Sequence, residues 1–138
     1  MSQQFSTGVR NAMLDSITTT IGASAVIKVF TGSAPANCGT ADSGTKLVEF
    51  DLASSYSDAA ASGSKNMVKS ASLPVSATAA NTGTAGYYRW YESTATTCHE
   101  QGTVTATGGG GDATIDNTSI VSGQTIQITG WTKTAPGA

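Results

Sequence analysis

The chain has 138 residues, 7 basic against 9 acidic, and Ser, Thr, Ala and Gly fill 75 of its positions. That length suits one domain spanning 1–138, and a net charge of -2 leaves little self-repulsion to hold open a chain with only 22 Leu, Ile, Val and Phe. Single, scattered Lys and Arg at a pI near 5.1 form no stripe for phosphates, and no apolar run reaches a membrane span, so neither nucleic acid nor membrane is an expected partner.

The opening MSQQFSTGVRNAML has neither the basic start nor the apolar run of a signal peptide, so synthesis in a cytoplasm is expected. Residues 1–22 read as a helical segment or arm. Ser6 or Thr7 can cap it, Val9, Ala12, Met13, Ile17, Thr20 and Ile21 recur at helical spacing, and Gly22 stands where a left-handed residue ends a helix. A helix of about 14 residues is too short to persist alone in water. Its stripe must lie on the sheet or on a neighbouring subunit, which makes Val9, Met13 and Ile17 candidate interface residues.

Beyond Gly22 the period changes to two. Ala25 to Phe30 is β-branched and aromatic and stops at Thr31-Gly32-Ser33, and residues 33–44 are turn chemistry throughout. Lys46 to Leu52 alternates, 53–66 reads as a long loop, and Met67 to Val75 reads as a weak strand that Pro74 confines to an edge. In Gly86 to Tyr91, Tyr87, Arg89 and Tyr91 face one way, and Tyr88 and Trp90 face the core. Gln101 to Thr107 is a Thr/Val strand, and the four glycines at 108–111 read as a hairpin connection. Ala113 to Ile115, Ser119 to Val121 and Gln124 to Thr134 complete the set, the last with Ile126 and Ile128 opposite Trp131. About seven short strands between Gly-rich turns predict an all-β fold, an antiparallel β-sandwich or jelly roll with one N-terminal α-helix.

The chain offers little for catalysis. Its single histidine, His99, adjoins Cys98, but neighbours on a strand point to opposite faces and cannot form a nucleophile pair. Cys38, Cys98 and His99 give three ligands where zinc takes four, at a spacing that fits no zinc motif. Glu49 and Asp51 share a strand face, either as a solvated pair or as a calcium site. The glycine run lacks the Lys-Ser/Thr of a phosphate loop. No enzyme activity, cofactor or metal is expected. A Cys38–Cys98 disulfide would close a loop of roughly 60 residues and contribute about 4 kcal/mol. Cytoplasmic synthesis favours free thiols, and both states stay open.

Three segments carry a resemblance. RNAMLDSITTTIGASAVIKVFTGSAPAN (Arg10 to Asn37), the central YYRWYES and the closing DNTSIVSGQTIQITGWTKTAPGA resemble a group of small proteins of tailed bacteriophages and prophages. In that group a helix of the form RNAMLDAI leads through a GASA turn into a strand ending YSG-x-x-PAN. Here Phe30 replaces the frequent Tyr, and the two cysteines are additional. The resemblance implies a virion structural protein, best a decoration or cement protein on the capsid exterior. Its partners would be the major capsid protein and itself, as a dimer or trimer. A tail or baseplate module that binds a receptor glycan, with Tyr87, Tyr91 and Trp131 as stacking or interface residues, is the alternative, and a tail-completion or tube protein is a third.

Overall fold

The computed structural model describes residues 3–138 and is all-β with one N-terminal helix. Helix α1 runs Thr7–Ile21. The Ser6 hydroxyl accepts from the Val9 amide, and Gly22, at φ 85°, closes the last turn by donating to the Thr18 carbonyl at 2.9 Å.

The helix is rotated from the expected stripe. Leu14 and Ile21 are buried and Ile17 packs on the core, while Val9 and Met13 point to solvent. The inward face is completed by polar side chains that satisfy backbone groups of the body. Arg10 donates to the Ala135 carbonyl from Nε and Nη2 at 3.3 and 2.9 Å, and Asn11 Oδ1 accepts from the Gly63 amide at 2.8 Å. Asp15 Oδ1 accepts from the Ala60 amide at 3.0 Å. Buried backbone groups need partners, so a helix that supplies them turns polar residues inward. Residues 7–21 are thus a cover on the body rather than a free arm.

Ten strands follow: β1 Val26–Thr31, β2 Lys46–Asp51, β3 Ser64–Asn66, β4 Val75–Thr78, β5 Gly83–Tyr91, β6 Cys98–Ala106, β7 Ala113–Ile115, β8 Ser119–Ile120, β9 Thr125–Gly130 and β10 Thr132–Thr134. Seven form one curled sheet in the order β2-β1-β5-β6-β7-β9-β4, with β8 on the start of β5 and β10 paired to β3 as a separate ribbon. The ends of the sheet approach each other. The Ala80 amide and the Asn81 side-chain amide donate to the Leu47 and Lys46 carbonyls, each at 2.8 Å, covering the outer edge of β2. The enclosed core centres on Ile27, Leu47, Phe50, Trp90, Ile126 and Ile128. No helix among the described residues is long and apolar enough to cross a membrane.

Four local expectations are corrected. The glycine run is not a hairpin, because β6 and β7 pair in parallel, Val104 beside Ala113. A three-residue ladder is short enough for residues 107–112 to double back along it, and the Asp112 carboxylate pins the return by accepting from Thr103 N and Oγ1, both at 2.9 Å. The expected loop 53–66 contains β3. Met67 and Val68 are buried but lie outside any strand, and a single 3-10 turn, Ser70–Ser72, precedes β4, which starts after Pro74. Finally, Trp131 alone separates β9 from β10, and it drops out of alternation into the core beside Tyr88 and Trp90.

Candidate functional site

β5 is an interior strand, flanked by β1 and β6, and its alternation builds two different polar constructions. Tyr88 and Trp90 enter the core. Tyr87, Arg89 and Tyr91 lie on the other face, where residues 33–44 fold over them and bury all three. Tyr87 stacks on Phe30 of β1 with ring centroids 5.0 Å apart, and Lys28 Nζ sits 4.3 Å from the Tyr91 ring centroid. The Tyr87 hydroxyl donates to the Ser43 carbonyl at 2.5 Å and accepts from the Ser43 amide at 3.1 Å.

Arg89, only 2% exposed, organises this face. Its Nε and Nη2 donate to Gln101 Oε1 at 3.1 and 2.8 Å, Nη2 also to the Asn37 carbonyl at 3.0 Å, and Nη1 to the Thr40 carbonyl at 2.9 Å and Asp42 Oδ1 at 2.7 Å. Gln101 Nε2 in turn donates to the Pro35 carbonyl at 2.6 Å. The Tyr91 hydroxyl also donates to Asp42 Oδ1. Burial works against the guanidinium charge, but the hydrogen bonds with Tyr91 and Asp42 outweigh it and raise its pKa. Burial and then the Asp42 hydrogen bond push the Tyr91 phenol upward too. Every N–H direction of the planar fork meets an acceptor, so Arg89 is saturated from within. Its chemistry is to fasten residues 35–42 to the sheet, not to receive an incoming anion.

The two cysteines meet at the rim of this construction. Cys38 lies in the covering loop between the two carbonyls that Arg89 holds, and Cys98 opens β6 opposite Tyr91. They share a groove of about 380 Å³ with Thr40, Asp42, Arg89 and Tyr91. Both are free thiols and half-buried. Burial and the neighbouring Cys38 thiol push the Cys98 thiol up to about 12.

A second construction lies on the inner face. The Tyr88 hydroxyl donates to Glu100 Oε1 at 2.5 Å, and Lys133 Nζ reaches the same oxygen at 2.7 Å. Burial, then the charge of Glu100, pushes the Tyr88 phenol far up and the Tyr56 phenol to about 12. Neither the Arg89 network nor this triad was anticipated from the sequence, since the partners are brought together only by pairing across β5, β6 and the 33–44 loop. The one available signal was the unusual placement of a lone Arg among four aromatics.

The remaining candidates are dispersed. Tyr87, Tyr91 and Trp131, expected at an interface, are buried in the monomer by the 33–44 loop and by the core. Of the helical trio, Ile17 packs inward, whereas Val9 is 46% and Met13 37% exposed. His99 Nε2 stands 3.7 Å from Glu92 Oε2, on the strand face opposite Cys98. The Glu49 carboxylate is taken by Lys46 at 2.6 Å, and Asp51 is exposed. Among the described residues no three His, Cys, Asp or Glu side chains gather around a common metal position.

No protein-family model matches the chain, and no curated protein and no solved structure is significantly similar to it.

Proposed function

We propose that this chain is a structural protein of a tailed-bacteriophage virion that decorates the capsid exterior and stabilises the head through contacts with the major capsid protein and with its own copies. The observation that carries this reading is the rotation of α1, which keeps Leu14, Ile17 and Ile21 inward and turns Val9 and Met13 outward. Arg10, Asn11 and Asp15, from the segment that carries the phage resemblance, are spent on tying the helix to the body, and Val9, Ala12 and Met13 are left on the outward face. A small apolar face on a rigidly held helix suits weak docking repeated over a shell, where many copies add by avidity. The curled, hydroxyl-coated sheet supplies stiffness without charge. The tail or baseplate glycan reading loses its stacking platform, because Tyr87, Tyr91 and Trp131 lie inside.

Co-sedimentation of the purified protein with heads that lack it tests the reading. The wild type is expected to pellet with the heads to saturation, and a Val9→Asp/Met13→Asp variant with unchanged melting temperature is expected to bind at least about tenfold more weakly, since desolvating two carboxylates replaces burial of two apolar side chains. A wild type that stays in the supernatant, or a variant that binds as well as it does, would overturn it.

A further inference from the structure

We infer that Cys38 and Cys98 form a preassembled oxidation site, in which a disulfide locks the 33–44 loop over the outer face of β5. The first support is placement. Nη2 and Nη1 of one buried guanidinium hold the carbonyls of Asn37 and Thr40, on either side of Cys38, at 3.0 and 2.9 Å. The second is the fixed partner. Cys98 is held by pairing with Tyr91 across the β5–β6 ladder, and its thiol donates to the Glu100 carbonyl at 3.4 Å. The third is direct proximity, each thiol lining the same groove and Cys38 close enough to bear on the ionisation of Cys98. The groove opens to solvent, so a small oxidant can reach the pair.

The reaction needs a two-electron oxidant, which a small-molecule disulfide such as oxidised glutathione supplies. The Cys38 thiolate attacks one sulfur of that disulfide and expels a glutathione thiolate, which takes up the proton lost by Cys38. The Cys98 sulfur then attacks the mixed disulfide at Cys38. The Cys38–Cys98 bond forms, the second glutathione leaves, and the Cys98 proton passes to it. Two protein thiols are oxidised and one small disulfide is reduced to two thiols. Both thiols are half-buried, but burial and the neighbouring Cys38 raise the pKa of Cys98, so the first attack falls to Cys38 on the covering loop.

The closed loop would span roughly 60 residues and tie the second quarter of the chain to β6. The expected gain is a rise in melting temperature of about 10 °C on oxidation. This inference stands apart from the virion reading, because it concerns the isolated full chain.

The test is to treat the full-length protein with oxidised glutathione, block remaining thiols, and digest with trypsin without reductant. Cleavage after Lys28, Lys46, Arg89 and Lys133 places Cys38 in peptide 29–46 and Cys98 in peptide 90–133. The two peptides are expected as one linked species from monomeric protein. The melting temperature should rise by about 10 °C and fall back with a phosphine reductant. Cys38→Ser and Cys98→Ser should each melt like the reduced wild type with or without oxidant, Cys98→Ser stopping at the mixed disulfide between Cys38 and glutathione. Two blocked thiols after treatment, a link between chains, or a linked monomer that melts no higher than the reduced form would each overturn the inference.

Discussion

Lys65 and Asp15 are joined at 2.7 Å in an unequal ion pair, the lysine side chain 3% exposed and the aspartate 46%. The ammonium also donates to the Asp58 carbonyl at 2.7 Å, so it is buried with partners on both sides while its counter-ion remains in water. This pair fastens α1 to β3. Removing the carboxylate strands a buried charge, whereas removing the ammonium frees an anion that solvent can receive. Asp15→Ala is therefore expected to cost about 3 kcal/mol and Lys65→Met about 1 kcal/mol or less. Urea midpoints of the two variants check this, and equal losses would contradict the asymmetry.

The same carboxylate contributes to an acid transition. Hydrogen bonds from Lys65 and the Ala60 amide lower the pKa of Asp15, those from the Thr103 amide and hydroxyl lower that of Asp112, and Thr94 and Thr96 hold Glu92 far below its ordinary value. Each group binds its proton more weakly in the folded chain than in the unfolded one. Their contribution is complete above the ordinary carboxylate values of 3.8 and 4.5 and is lost as pH falls through the depressed folded ones. Urea midpoints are expected to be flat from about pH 7 to 5 and to drop steeply below about pH 4, less steeply in Asp15→Asn. A midpoint that rises toward acid pH would contradict it.

Arg89→Lys keeps the charge and removes the fork. A single ammonium cannot reach Gln101, Asn37, Thr40 and Asp42 together, so the variant is expected to lose about 2–4 kcal/mol. Amides of residues 33–44 should exchange with solvent far faster than in the wild type, while β9 is unaffected. Unchanged exchange in the loop would mean that Arg89 does not hold it.

Gly86 is needed for clearance. A Cβ there would lie 1.9 Å from the Gly32 carbonyl oxygen, where β1 and β5 shift register between Phe30 and Thr31. Gly86→Ala is expected to cost about 3 kcal/mol by forcing the strands apart, against about 1 kcal/mol for Gly108→Ala, where a φ of 87° is strained but the space is open. Similar melting temperatures for the two variants would count against the close approach.

What the sequence discloses follows from how local its signals are. β1 and β5 are legible because Val, Ile and aromatic residues alternate within one strand, and the division of Tyr88 and Trp90 from Tyr87, Arg89 and Tyr91 is the one observed. β3 is invisible because Ser64-Lys65-Asn66 carries no apolar signal and forms only by pairing with Thr132 to Thr134. The rotation of α1 is hidden because the pull on Arg10, Asn11 and Asp15 comes from Ala135, Gly63 and Lys65, far away in the chain. Tyr87 and Tyr91 looked available for the same reason. A loop of turn residues gives no sign that Asn37, Thr40, Asp42 and Ser43 will be drawn down over them.

The capsid-decoration account is tested most directly by the copy number of this chain in purified virions, measured by quantitative mass spectrometry against the most abundant virion protein. The account predicts a ratio near that of the shell subunit, hundreds of copies per particle. A handful to a few dozen copies would contradict it and would place the protein on the tail.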